Sequence, residues 1–95
     1  LHHCVFYGLD LRKFDFHGCD LSGSYFDDCN LAESDFSGTM LRGTSFSHND
    51  LSGADFRHAR EYLFSLESNR AKKARFTLPE AVQLLAAMEI VLEED

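Results

Sequence analysis

Five histidines, three cysteines and many serines give this sequence most of its chemical range. His2, His3 and Cys4 adjoin, which invites a metal reading. Consecutive residues point in different directions, however, and no second ligand pair follows at usable spacing. Cys4, Cys19 and Cys29 are odd in number and lack CxxC spacing, so neither a zinc knuckle nor a disulfide framework is indicated. They read as buried, reduced thiols, which fits a cytoplasmic location. His17, His48 and His58 stand singly among polar residues. No serine sits in a GxSxG turn, and the glycines do not form a phosphate loop. Sixteen acids against nine bases give a net charge of −7, which argues against direct binding to nucleic acid or to an anionic membrane. The longest apolar runs are too short to cross a bilayer as a helix. These residues therefore point to no metal, no cofactor and no catalytic constellation: the chain reads as a non-enzyme.

The arrangement that must hold these side chains is legible as a repeat. Every fifth residue from Phe6 onward is Phe or Leu in strict alternation: Phe6, Leu11, Phe16, Leu21, Phe26, Leu31, Phe36, Leu41, Phe46, Leu51, Phe56. Phe and Leu make up 22 of the 95 residues, so chance yields such a run about once in ten million trials. An α-helix would scatter a period of five around its circumference, and a flat strand would send successive members to opposite faces. A chain that turns a corner every five residues instead returns each centre to a common axis. The residue two before each centre is usually small (Cys19, Ser24, Cys29, Ser34, Thr39, Thr44, Ala54 and Ala59 among them) and is expected to point inward where space is tight. Like can stack on like only if each coil holds an even number of quintets, and four is the smallest number that leaves room for a core. The expected columns are Phe6–Phe26–Phe46, Leu11–Leu31–Leu51, Phe16–Phe36–Phe56 and Leu1–Leu21–Leu41. Gly18, Gly23, Gly38, Gly43 and Gly53 close their quintets, at corners that need backbone freedom.

The units Cys19-Asp20-Leu21-Ser22-Gly23, Cys29-Asn30-Leu31-Ala32-Glu33 and Ala54-Asp55-Phe56-Arg57-His58 resemble the pentapeptide repeat, A(D/N)LXX, over residues 1–60. The resemblance implies an all-β solenoid, a right-handed quadrilateral β-helix with four pentapeptides per coil. Leu9, Phe14 and Asn49 depart from the pattern by occupying the normally small inward position. A buried Asn49 calls for hydrogen-bond partners, which backbone groups of neighbouring coils would supply.

Residues 61–95 are expected to form a second region. Glu61 stands where the frame demands an apolar centre, and residues 61–73 read as a distorted coil or loop leading back to Ala74-Arg75-Phe76. Thr77-Leu78-Pro79-Glu80 has the form of a capping box, predicting a C-terminal helix through Met88 that closes the solenoid. Leu78, Ala81, Val82, Leu84, Leu85 and Met88 form a broad apolar face, followed by Ile90-Val91-Leu92. Surplus apolar surface at one end of a rod suits a homodimer through Leu78, Val82, Leu84, Leu85, Met88, Ile90 and Leu92. The segment from Arg60 to Leu92 also resembles the tail of stand-alone bacterial pentapeptide repeat proteins through Asn69, Ala74-Arg75-Phe76 and Leu84-Leu85. It lacks the Asp-Pro often found before the Asn, and Glu89 stands where a Gly often ends the helix.

Function is read as a scaffold or protein-interaction module whose partner is undefined. Aligned coils place Asp15, Asp35 and Asp55 in one outward column and Asp10, Asn30 and Asp50 in another, with Asp20 on the next face. Asp10, Asp15, Asp35, Asp50 and Asp55 are thus the candidate partner-binding residues. The resemblance implies an alternative, a DNA mimic that binds gyrase or topoisomerase and gives quinolone protection. Arg12, Lys13, Arg42, Arg57 and Arg60 interrupt the acidic surface and weigh against it. The chain opens at Leu1 with an apolar coil, which predicts upstream coils or an edge covered by another chain.

Overall fold

A computed structural model describes residues 3–62 and 68–77, together with Ala81 and Leu84. The period of five becomes a β-helix solenoid whose coils are twenty residues long. Three short parallel strands, β1 (Val5–Tyr7), β2 (Tyr25–Asp27) and β3 (Ser45–Ser47), pair in the order β1-β2-β3. Their register, Val5↔Tyr25↔Ser45, advances by one coil per step. Bridges elsewhere share that step, among them Asp15↔Asp35↔Asp55↔Arg75.

The alternating centres build the core. Phe6, Phe26 and Phe46 stack with ring centroids 4.6 and 5.0 Å apart. Phe16, Phe36, Phe56 and Phe76 stack at 4.9, 5.0 and 5.3 Å, almost parallel. The two aromatic columns meet edge to face at 5.7–6.0 Å. Both arrangements suit the ring quadrupole. Leu21, Leu31, Leu41 and Leu51 are fully buried between them.

Three sides of each coil share one corner. On these sides the N–H three residues beyond the centre donates to the centre's C=O, as Phe14 to Leu11, Cys19 to Phe16 and Ser24 to Leu21, at 3.0–3.1 Å. The carboxylate or amide just before the centre accepts from the N–H two residues on: His17 to Asp15, Ala32 to Asn30, Ser37 to Asp35 and Ser52 to Asp50, at 2.8–3.1 Å. This Asx arrangement explains why the repeat wants Asp or Asn there. The last residue of each quintet from His3 through His58 has φ between 56° and 72°. Glycine fills six of those twelve corners; His, Lys, Asp and Glu hold the left-handed conformation at the others.

The fourth side, which carries β1–β3, is flat and is built differently. Asn49 Oδ1 accepts from the Cys29 N–H at 2.9 Å while Nδ2 donates to the Phe26 C=O at 2.8 Å. One side-chain amide from the next coil thus stands in for the turn bond. Asn69 repeats the device, accepting from the Asn49 N–H at 3.0 Å and donating to the Phe46 C=O at 2.9 Å. The expected need of Asn49 for backbone partners is met, and its ladder partner Asn69 sits one coil on.

Several expectations need correction. Cys29 is buried, but Cys4 and Cys19 are only partly so; all three are free thiols. Leu9 and Phe14 do not fill the interior: they remain 45% and 47% exposed, although their C=O groups accept regularly from Asn30 and Asp35. Both side chains are too large for a row built for Ser, Thr and Cys. The ladder also resumes at Ser68, within the stretch expected to stay distorted through residue 73, and Ala71 continues the Leu11–Leu31–Leu51 column. Glu61 takes an extra left-handed turn (φ 57°), and Tyr62 is buried with its ring 5.6 Å from that of Phe76. The helix expected over 78–88 and the tail at 90–92 lie outside the described residues, apart from Ala81 and Leu84. The Ala81 N–H donates to the Thr77 C=O at 3.0 Å, and Leu84 is buried against the core.

Candidate interaction surfaces

The acidic columns exist, and much of each carboxylate is occupied. One oxygen of Asp10, Asp15, Asp35, Asp50 and Asp55 accepts the backbone N–H of its own corner. Arg12 lies 2.8 Å from Asp10, and Arg57 lies 2.8 Å from Asp55. Hydrogen bonds from the Arg12 guanidinium hold the Asp10 carboxyl below the usual range, and those from Arg57 do the same for Asp55. The Ser52 hydroxyl, then its N–H and the Arg70 charge, lower Asp50. Each column ends in a base: Asp10–Asn30–Asp50 in Arg70, and Asp15–Asp35–Asp55 in Arg75. Asp20 is followed by Met40 and Arg60. The acidic field therefore stops after three coils and gives way to a fourth carrying Arg70, Lys72, Lys73 and Arg75.

The flat side differs from the rest. Its positions before the centre are Val5, Tyr25 and Ser45, with no Asx residue among them; the amide of the next coil closes the corners of the Tyr25 and Ser45 quintets, and the Cys29 thiol donates to the Phe6 C=O at the corner of the Val5 quintet. Val5, Tyr7 and Tyr25 are 71%, 67% and 54% exposed. Sequence reading missed this surface, although its signal was present: three quintets one coil apart all lack the consensus Asp or Asn.

A shallow groove of about 380 Å³ runs between outward rows on the next side, floored by Ala32, Ser52 and Gly53 and bordered by Glu33, Lys72 and Lys73. Leu84 is the only one of the seven proposed dimer residues among those described. It faces the core. Leu78, Val82, Leu85, Met88, Ile90 and Leu92 lie outside the described residues. No described helix is long and apolar enough to cross a membrane.

A pentapeptide repeat protein, Rfr23, from the cyanobacterium Cyanothece 51142 superimposes with a TM-score of 0.57 at 15% identity, covering 81% of this chain and 86% of that one. Trypsin-treated QnrB1 (M102R), a plasmid-mediated fluoroquinolone resistance protein, gives a TM-score of 0.41 at 20% identity, covering 81% of this chain and 50% of that one. No curated protein sequence matches. The sequence profile of pentapeptide repeats, in eight copies, matches residues 1–38 and 24–60. With the twenty-residue coil, the Phe/Leu core and the Asx corners in place, this chain belongs to the pentapeptide repeat family.

Proposed function

We propose that this chain is a non-catalytic scaffold that binds another protein through the rigid outer lattice of its solenoid. The observation that carries this reading is the fixed alignment of outward residues, one directly above another at every coil, on a backbone whose inward side chains are committed to packing. Such a surface presents side chains with little ordering cost on binding. We place its work in the cytoplasm, consistent with three free thiols. Residues 1–60 form the repeat region in this reading. Residues 61–95 complete a last coil and close it with a C-terminal helix, in keeping with the Thr77–Ala81 bond and the buried Leu84. Leu84→Glu would then loosen that end, whereas Leu85→Glu would produce a folded monomer if the remaining apolar face joins two chains. Sedimentation of both variants tests the pair.

A gyrase-directed DNA mimic is the second reading, favoured by the Asp15–Asp35–Asp55 column. The arginines that end or pair the columns make it the weaker one. A gyrase supercoiling assay, with and without quinolone, separates the two. The scaffold reading itself is tested by a photo-cross-linking residue placed in turn at Tyr25, Ala32, Ser37 and Arg42, one per side, in the source cells. One side should yield a discrete protein adduct; four silent sides would sink the proposal.

A further inference from the structure

We infer that the flat side is the docking face, and that its occupant is a cationic protein segment carrying apolar side chains between lysines or arginines. This inference rests on the scaffold reading and gives it a face and a partner chemistry.

The first support is what each outward residue is needed for. On the other three sides the residue before the centre is mostly Asp or Asn, and its side chain closes the corner. On the flat side Asn49 and Asn69 close the corner from within. Tyr25 is therefore free of any such duty at its corner, and at the corner after Phe6 the inward Cys29 thiol bonds the Phe6 C=O, with no side-chain bond from Val5 or Tyr7. Soluble surfaces released from structural work drift toward polar residues, yet these positions hold two tyrosines and a valine in water.

The second support is contiguity. Val5 lies directly opposite Tyr25, and Tyr7 lies opposite Asp27. The three side chains thus occupy adjoining corners of one lattice square on the flattest part of the molecule. With these exposures they offer on the order of 400 Å² of largely apolar surface, the size of the largest patch on a typical soluble monomer, which is often a functional one. Tyrosine is also a residue type that anchors interfaces, since it combines a large rigid ring with a polar tip. Tyr25 keeps 54% exposure between Val5 and Ser45, so a coil stacked on each side leaves an outward side chain of this face largely open.

The third support is charge. Asp27 completes the square with its side chain 48% exposed, and Asp28 is exposed at the adjoining corner. Residues 3–55 hold nine acids (Asp10, Asp15, Asp20, Asp27, Asp28, Glu33, Asp35, Asp50, Asp55) and three bases (Arg12, Lys13, Arg42). His48 lies 3.6 Å from Asp27 at the edge of the patch. An apolar patch set in a negative field selects a partner that is apolar at its centre and positive at its rim.

The test uses the whole chain and three labelled synthetic peptides: one of leucine and lysine, one with glutamate for lysine, and one with serine for leucine. Binding is read by fluorescence anisotropy at low and high salt. The leucine–lysine peptide should bind, and the other two should bind about tenfold more weakly or less. Tyr7→Ser/Tyr25→Ser should weaken it about tenfold with the melting midpoint unchanged, and Tyr25→Phe should retain it. Asp35→Asn/Asp55→Asn, on another side, should leave it within about twofold. Binding lost in the Asp variant and kept in the Tyr variant would overturn the face and leave the scaffold reading standing. No binding of the leucine–lysine peptide would overturn the partner chemistry, and the four-sided cross-link would still judge the scaffold. A dimer that dissociates in the Tyr variant would make a second copy the occupant and overturn the assignment to a different protein.

Discussion

The flat side and the three turned sides solve the same corner with opposite parts of the quintet. On a turned side the outer Asp or Asn reaches to the backbone N–H two residues on, and the inner residue can be a mere Ala, as at Ala54 and Ala59. On the flat side the inner residue does the bonding, through Asn49 and Asn69, and the outer residue is unconstrained. Side-chain identity is fixed on the outside in one case and on the inside in the other. Where it is fixed inside, the exterior is released from that bond; on a turned side Met40 and Arg60 also depart from it, the Met40 corner being held by the backbone bond from the Thr44 N–H to the Leu41 C=O.

The largest effect should come from breaking the inner device. Asn49→Leu orphans the Cys29 N–H in a buried site, strips one donor from the Phe26 C=O and removes a partner from Asn69. A loss of about 3 kcal/mol in denaturant melts is expected. If the variant melts like the parent, the flat side is not held by its amides. On a turned side, Asp35→Ala removes one exterior cap and should cost about 1 kcal/mol, since water can reach the freed N–H of Ser37.

Acid should weaken the turned sides in particular. The carboxyls of Asp10, Asp50 and Asp55 are lowered in the folded chain, first by side-chain hydrogen bonds from Arg12, Ser52 and Arg57 respectively; Glu61 is lowered by Arg42. A depressed folded pKa adds stability that is fully present above the unfolded value, about 4 for these groups, and is lost as pH falls through the folded value. Melting midpoints should therefore hold from neutrality to about pH 5 and drop below about 4. Asp55→Asn should make that drop shallower; an unchanged acid limb would remove the carboxylates from the account. The smallest effect is expected from Tyr25→Ser, within about 0.5 kcal/mol of the parent. A larger loss would mean that the flat exterior carries structural load after all.

The Phe/Leu columns were legible because one hydrophobic residue in five, repeated eleven times, admits a single winding. The Asp corners were legible as a consensus, although their hydrogen bonds were not. Asn49 stood out only as a departure. Its partner Asn69 was hidden because Glu61 breaks the local frame, while Tyr62 turns inward and the chain returns in register at Ser68. The frame of five keeps its count across the break, since Asn49 and Asn69 stand four quintets apart; the charged residue at the Glu61 centre is what hid that continuity. The acidic candidates Asp10, Asp15, Asp35, Asp50 and Asp55 were placed in the right columns, but their bonding to the backbone and the arginines ending those columns depend on coil-to-coil stacking that spacing alone leaves unpriced.

The amide ladder also makes the coils depend on one another in sequence. The flat corner at Cys29 is complete only when Asn49 has arrived, and the corner at Asn49 only when Asn69 has. A nascent chain emerging N-terminus first cannot finish either of these corners until about twenty more residues have been synthesised, so strand edges stay open during translation. With most contacts one coil apart, the relative contact order is about 0.2, in the range of domains that fold in milliseconds to seconds. Amide hydrogen exchange should accordingly show the Cys29 and Asn49 N–H groups opening together in one cooperative unit, with no gradual fraying from coil to coil.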